Sequence, residues 1–380
     1  MATENVQEPA RGSAFHLKML RAAFPPDGVQ QQVRPLRPTP FHFFKMRYLM
    51  KQKSFAPRLA NHALYKLEAG RAIEVHYFPP AVQMEINGTC NLHCHNCIVG
   101  NRLPSGHRMG KAELSMVKSI VDQIHERSHS LTMHFHGEPL LNQAVFVPGC
   151  EYAVEHGLWT CIHSNLSVTN RSLASHIIES RLCNLVVSCD GATKETYEKY
   201  RRGGDVDVVF ENMERIAAEK KKRKSEFPWI TAKFIVFDHN WQEVERYRER
   251  ALRAGANDVL FVAGFAGSIY ESGRPATDRE FKLDKLEWET RTLPDWCSRL
   301  WEAIHLDHDA AVLPCGYAHN DEHLFVDPDE VAKTTIMQQW NCEKYKKIRA
   351  YFVDKSSRQT EGLPSPCKDC EFVCRNRSAA

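Results

Sequence analysis

From residue 82 onward, short apolar runs alternate with amphipathic stretches in a regular order. Val82 to Ile86, Leu131 to Phe135, Trp159 to His163, Asn184 to Ser188, Ile230 to Phe237 and Val259 to Ala263 have the length and composition of strands. Between them, apolar residues recur every three or four positions, as expected of helices with one buried face. Leu114, Val117, Val121 and Ile124 mark the first such face. Further helices are predicted near 144–156, stopped by Gly157, near 173–180, and over 241–254, closed by Gly255. In the clearest case, Val206, Val209, Phe210, Met213, Ile216 and Ala217 fall on a single stripe. Repeated β-α units of this kind predict an α/β fold with a parallel sheet. Six units are too few for a standard eight-unit closed barrel, so a partial barrel or an open sheet is expected, with ligands at the carboxyl ends of the strands.

The flanks differ. Residues 1–40 hold Pro25, Pro26, Pro35, Pro38 and Pro40 among polar residues and read as extended or loosely ordered. Two short helical patterns follow, near 43–52 and 58–69, with Gly70 as a stop. After about residue 266 the alternation is lost, and six cysteines appear: Cys297, Cys315, Cys342, Cys367, Cys370 and Cys374. A loop-rich piece with little core of its own is explained by metal stapling. The expected organisation is an N-terminal extension over 1–80, partly disordered and then helical, an α/β unit over 81–265 and a cysteine-rich subdomain over 266–380.

Composition narrows the function classes. With 43% hydrophobic and 26% charged residues, disorder as the main state is excluded. The net charge of +3 argues neither for nor against nucleic acid, and no nucleic-acid partner is expected. Residues 1–70 carry 11 basic and 4 acidic residues, so the basic character belongs to the extension and the remainder is net −4. Lys220 to Lys224 ends an amphipathic segment, where cations complement the helix dipole in solvent. No run approaches the roughly 18 apolar residues of a spanning helix, and the N-terminus lacks a secretory pattern. No membrane partner and a cytoplasmic location are therefore expected. In a reducing compartment, 13 cysteines point to metal or catalytic use rather than disulfides.

Directly after the first strand the chain reads NGTCNLHCHNC, which places Cys90, Cys94 and Cys97 on one short loop. Structural zinc takes paired Cys-x2-Cys units or a close fourth ligand, whereas three thiolates suit a cubane iron–sulfur cluster with one open iron. His93 and His95 leave a zinc reading open. This arrangement resembles the radical SAM superfamily, whose signature is this spacing after the first strand of a partial (β/α)6 barrel. The resemblance covers roughly residues 82–265. It implies a [4Fe–4S] cluster on Cys90, Cys94 and Cys97 that binds S-adenosylmethionine (SAM). His136-Gly137-Glu138-Pro139 is similar to the Gly-Gly-Glu-Pro motif for the SAM amino group, with His136 in place of the first glycine. An acceptor carboxylate and close backbone approach suit an ammonium group. Ser164-Asn165-Leu166 resembles a Thr-Asn-Gly turn, with Leu166 in place of glycine. Ser188-Cys189-Asp190-Gly191, followed by Tyr197 and Arg201, is similar to an SLDG-x-YxxxR stretch. By resemblance, Ser188 and Arg201 hold the SAM carboxylate, with Arg202 adjacent, and Asp190 supports the ribose region. An arginine fork matches a carboxylate. Asn96 stands where the family usually has an aromatic residue.

The resemblance implies one-electron cleavage of SAM to a 5′-deoxyadenosyl radical that takes hydrogen from an unactivated C–H bond, with the protein supplying position and exclusion of water. A flavodoxin or ferredoxin would be the reductant. Cys297 and Cys315, with Cys367 and Cys370 some 50 residues on, are similar to the SPASM module or its shorter twitch form, in the spacing of aminocyclitol dehydrogenases. One auxiliary [4Fe–4S] cluster is implied, with Cys342 and Cys374 available to exchange a ligand or help hold a second. A zinc ribbon on the same cysteines stays open. Cys150, Cys161, Cys183 and Cys189 read as core or near-core thiols. A fully ligated auxiliary cluster can accept an electron from a substrate radical, which makes the chain a radical SAM oxidoreductase of the dehydrogenase kind. The stretch before residue 80 lacks a convincing β-hairpin for presenting an edge strand to a leader peptide. A small polar substrate of sugar or aminocyclitol type is therefore expected. A peptide or sulfatase maturase and a non-catalytic cluster or zinc scaffold are the alternatives.

Overall fold

The computed structural model describes residues 39–95, 97–100, 106–237, 239–263, 296–316, 318–354, 361–370 and 373. The proline-rich stretch 1–38, Asn96 and Cys374 lie outside the described residues. Six parallel strands follow one another across the sheet: β1 (Ala81–Met84), β2 (Ser130–Thr132), β3 (Trp159–Ser164), β4 (Asn184–Ser188), β5 (Trp229–Val236) and β6 (Asp258–Ala263). The intervening helices are α3 (Leu114–Ile124), α4 (Gln143–Glu155), α5 (Leu173–Glu179), α6 (Lys194–Tyr200), α7 (Val206–Lys222) and α8 (Val244–Arg253), after α1 (Pro40–Met50) and α2 (Phe55–Glu68). This mostly parallel sheet with its helices is the α/β architecture of a partial barrel, as the apolar periodicity predicted.

Alternation along each strand separates two faces. Val82, Leu131, Ile162, Leu185, Val187, Ile230, Ala232 and Phe234 have no solvent exposure and share one core with Val117, Val121, Phe146, Ile177, Val209 and Met213 of the helices. The opposite, inner face is polar. Register aligns Gln83 with Thr132, Thr132 with Cys161, and Cys161 with Asn184. One step nearer the carboxyl ends stand His134, His163 and Thr231, and beyond them Ser188 beside Lys233.

The N-terminal helices close the other end. Phe41, Phe44 and Tyr48 of α1 pack their rings on Trp159, the first residue of β3, and Phe41 and Phe44 also meet Trp229, the first of β5. The Tyr48 hydroxyl donates to the Leu158 carbonyl at 3.0 Å. From α2, the buried Arg58 donates to the His125 carbonyl at the end of α3 and, at 2.6 Å and 3.1 Å, to the Gly157 and His156 carbonyls at the end of α4. A cation at two helix C-termini satisfies their unpaired carbonyls and opposes their dipoles.

The described part of the C-terminal segment holds more regular structure than a loop-rich piece would. After α9 (Arg299–Glu302), β7 (Ala303–Leu306) runs parallel to β1 and β8 (Val312–Leu313) pairs antiparallel to β7, extending the sheet on its β1 edge. α10 (Pro328–Val331), α11 (Ile336–Trp340) and α12 (Glu343–Val353) follow. Trp301, Ile304, Trp340, Tyr345 and Ile348 join the same core as the strands. This segment therefore shares its stability with the α/β unit. Lys220 to Lys222 lie in the last turn of α7, where Lys220 donates to the Pro228 carbonyl and Arg223 pairs with Glu219 and Glu179, the solvated helix end expected for that run. No helix among the described residues is long and apolar enough to cross a membrane.

Candidate functional site

The cysteine loop leaves β1 at the carboxyl end of the sheet and is tied down on two sides. On one, Glu138 N–H donates to the Thr89 carbonyl at 2.8 Å, and the Asn87 amide donates to the carbonyls of Thr89 and Glu138 at 2.9 Å and 2.8 Å. On the other, His93 and His95 N–H groups donate to the carbonyls of Arg202 and Tyr200 at the end of α6. Cys94 is buried, and Cys90 and Cys97 are half-buried. Burial pushes the Cys90 thiol up to about 12 and the Cys94 thiol to about 11, the latter opposed by Arg201. The sulfur of Cys90 accepts from Leu92 N–H at 3.4 Å and from the Asn165 amide at 3.6 Å, and that of Cys94 accepts from Arg201 Nη1 at 3.8 Å.

N–H donors aimed at sulfur fit metal-bound thiolates, whose negative charge they stabilise. Tetrahedral zinc at about 2.3 Å from each sulfur needs its thiolates roughly 3.8 Å apart. Among the described residues, the one group of three or more His, Cys, Asp or Glu ligand atoms within 4.8 Å of one another is Asp307, His308 and Asp309, and Arg108 already pairs with both aspartates there. His93, offered as a zinc ligand by the sequence, instead has Nδ1 at 2.9 Å from the Gly100 carbonyl. Three thiols on one loop, with N–H donors aimed at two of them, form a donor set that suits an iron–sulfur cluster.

The remaining predicted residues surround this loop. Gly137 lies so close to β1 that a Cβ there would sit 1.9 Å from the Asn87 carbonyl oxygen. Glu138 is fully buried and works as a strut: Ser164 Oγ donates to it at 2.8 Å, Asn165 N–H at 2.8 Å and Leu140 N–H at 3.1 Å. Burial lifts its carboxyl to about 7 against these donors and Arg201. A carboxylate has about four acceptor positions, so three internal donors leave room for one more. Pro139 is buried and opens a short turn capped by Glu138. Asn165 bridges Cys90 and Asn91, at 2.9 Å to the latter. Next to it, Leu166 stands at φ +52°, the left-handed conformation a glycine would adopt freely, with its side chain wholly buried. That backbone costs about 1–2 kcal/mol and is offset by burial of the leucine.

Asp190 and Arg201 form a buried pair. Arg201 Nε donates to Asp190 Oδ2 at 2.6 Å, while Ile235 N–H occupies Oδ1 at 2.6 Å. Both oxygens of Asp190 are therefore engaged in aiming Arg201 at the cysteine loop. Ser188 ends β4 beside Lys233. The sequence reading passed over Glu85 and Asn87, which anchor the loop. Fully buried Glu85 accepts from His136 and Gly137 N–H at 2.5 Å and 3.0 Å, and burial raises its carboxyl to about 7. Acids and amides within an apolar run were the available signal.

The second cysteine set also converges. Cys297, Cys315, Cys367 and Cys370 lie close enough that burial and the three neighbouring thiols together hold Cys367 well above its usual range. Cys342 caps α12 and donates to the Phe325 carbonyl. The buried phenol of Tyr345 lies near Cys342, Cys315 and Cys367. Cys150, Cys183 and Cys189 are fully buried, while Cys161 faces the polar interior. The two sets meet through His136, whose Nε2 lies 2.9 Å from the Ala318 carbonyl, three residues past Cys315, while its own N–H holds Glu85. Phe135 packs with Ala311, Leu313 and Ala318 beside it.

Residues 84–258 match the radical SAM superfamily, and residues 297–371 match the iron–sulfur cluster-binding domain called SPASM. An AdoMet-dependent heme synthase from Methanosarcina barkeri is 25% identical over 178 residues, covering 47% of this chain and 48% of that protein. Mycofactocin maturase MftC from Mycobacterium ulcerans is 23% identical over 232 residues, covering 60% and 57%. The matches thus span about half the length of these curated relatives. Among solved structures, Streptococcus suis SuiB bound to S-adenosylmethionine aligns with a TM-score of 0.55 at 12% identity, over 78% of this chain and 71% of that one. SuiB bound to precursor peptide SuiA aligns at 0.50 and 11% identity, over 84% and 73%. At that identity the likeness shows the fold.

Proposed function

Because the chain belongs to the radical SAM superfamily and carries a C-terminal SPASM domain, we propose that it is a radical SAM oxidoreductase that oxidises a small polar substrate held under the cysteine loop. Cys90, Cys94 and Cys97 hold the SAM-binding [4Fe–4S] cluster in this reading, and Cys297, Cys315, Cys367 and Cys370 an auxiliary one. When bound, the clusters and SAM supply one-electron cleavage of a sulfonium C–S bond, hydrogen abstraction from carbon and a sink for the second electron. The observation that carries the oxidoreductase reading is the contact of His136 with the Ala318 carbonyl, which joins the loop after β2, itself bonded to the first cysteine loop through Glu138 and Thr89, to the loop of the second set.

The chain's own residues bind and orient. Asn165 and Arg201 hold the sulfurs of Cys90 and Cys94. Arg201, aimed by Asp190, and Ser188 are placed to receive the SAM carboxylate, and Gly137, Glu138 and Pro139 form the wall for its amino group. The paired aromatic rings of α1 close the far end of the sheet against water. A flavodoxin or ferredoxin supplies electrons.

The direct test is 5′-deoxyadenosine formation by the reconstituted protein against panels of sugars, aminocyclitols and peptides. Turnover with a polar small molecule is expected, and turnover confined to peptides would replace this substrate class. The peptide reading has a specific observation behind it, since relatives in sequence and fold include a maturase and a protein solved with a precursor peptide. For the small-molecule reading, the described N-terminal residues form two helices that seal the sheet end.

Replacing His136 by glycine is expected to leave 5′-deoxyadenosine formation measurable while product formed per 5′-deoxyadenosine falls several-fold. His136→Gln, which keeps a terminal N–H donor, should retain most of that ratio. Equal falls in both quantities would show that His136 acts only as support for the SAM-side loop.

A further inference from the structure

The inner face of the sheet gathers nitrogen donors, and among the described residues the acids beside them are held by other partners. Pairing places His163 level with Val186 and Val186 level with Thr231, so all three point the same way. Lys233 follows Thr231 by two residues and Ser188 follows Val186 by two, which puts both on that face and one step nearer the cysteine loop. His134 stacks on His163, with ring centroids 4.4 Å apart and planes 14° from parallel. His305, level with Gln83 on β7, completes the row toward the C-terminal segment.

We propose that Lys233, with His134 and His163, forms a carboxylate-binding site on this inner face that receives an acidic group of the substrate.

The charge balance of the interior supports this. Among the described residues, no carboxylate lies within ion-pair distance of the Lys233 ammonium, and Asp190, which acts on it electrostatically, is paired with Arg201. The acids at this end of the sheet are otherwise engaged: Asp190 by Arg201 and Ile235, Glu85 by His136 and Gly137, and Glu138 by Ser164, Asn165 and Leu140. Nδ1 of His134 is buried without a partner, as is Nδ1 of His305, a residue only 3% exposed. Buried polar atoms of this kind are costly unless a ligand completes them. Burial also drives the ammonium of Lys233 down, with Asp190 opposing, and keeps both imidazoles neutral, each able to give one N–H bond. A carboxylate between these groups would receive an ion pair and hydrogen bonds, both of which strengthen as the bound group excludes water.

The inference rests on the functional reading in one respect, that the substrate sits on the inner face. SAM also carries a carboxylate, so the test has one arm for each source. Reconstituted holoprotein is titrated calorimetrically with SAM, with glutarate and with its neutral analogue glutaramide. Glutarate is expected to bind at least tenfold more tightly than glutaramide. Lys233→Met should erase that preference and leave the SAM dissociation constant within about twofold, and Lys233→Arg should restore part of the preference. Circular dichroism of each variant shows that the fold is retained. Equal glutarate binding by the wild type and Lys233→Met overturns the proposal. So does a parallel loss of SAM affinity in Lys233→Met, which would assign Lys233 to the SAM carboxylate. If Lys233-dependent glutarate binding persists in a protein that does not bind SAM, the site stands and the radical SAM reading falls.

Discussion

Cys94→Ala is expected to abolish 5′-deoxyadenosine formation altogether, with iron falling from about eight to about four per chain as one of two four-iron clusters is lost. The effect should be absolute because Cys94 is one of only three thiols on its loop, and nearby groups cannot replace it. His93 is held by the Gly100 carbonyl, and Arg201, the donor to the lost sulfur, is a cation. Cys370→Ala should behave differently. Its loop lies in the second set, which reaches the loop after β2 through His136 and Ala318 and shares no residue with the first set. Iron should again fall to about four, but SAM cleavage should persist without product. EPR with and without SAM separates the two: the SAM-dependent spectral change disappears in Cys94→Ala and survives in Cys370→Ala. Zinc at both sites of the wild type, with no response to SAM, would overturn the assignment of both cysteine sets.

Much of this was legible from local pattern. The outer face of the sheet obeys simple alternation, so Leu131, Ile162, Leu185 and Ile230 could be assigned to the core from the apolar runs alone. The order of the Cys90, Glu138, Asn165 and Asp190 motifs followed from their positions after successive strands. Non-local pairing was not legible. β7 joins β1 across more than two hundred residues, and a four-residue strand lying between a short helix and a turn carries too little periodicity to announce a parallel partner. The role of α1 was hidden for a related reason: its aromatic residues gave a helical pattern but no clue that Trp159 and Trp229 at strand starts would receive them. On the inner face, the polar residues His134, His163 and Lys233 interrupt strand runs at period two. That signal was present and became interpretable only when register placed the three together.

Gly137→Ala should be nearly as damaging as loss of a cluster cysteine, although alanine is the smallest change available. A Cβ at this position would stand 1.9 Å from the Asn87 carbonyl oxygen and 2.7 Å from that of Thr89, both backbone atoms that no rotamer change can move. Relief would require the loop after β2 to separate from the start of the cysteine loop. Such separation breaks the Glu138 N–H bond to Thr89, the Asn87 amide bond to the Glu138 carbonyl and the two N–H bonds to buried Glu85. Each buried group left unpaired costs about 1–3 kcal/mol, so the combined penalty is a large share of an ordinary domain's stability. Cys90, one residue past Thr89, would move with the strand end. The expected result is a protein that still forms its outer core, retains the auxiliary iron and fails to hold the SAM-binding cluster, with SAM affinity reduced at least a hundredfold. Gly316→Ala is the matched control beside the second cysteine set. There, among the described residues, a Cβ would meet Arg299 Nη1 at 3.6 Å and Phe135 at 3.9 Å, ordinary contact distances, and both clusters should assemble. Calorimetric SAM binding and iron counts on the two variants decide the matter, since equal behaviour of the pair would show that the loop after β2 is not held against the cysteine loop as described.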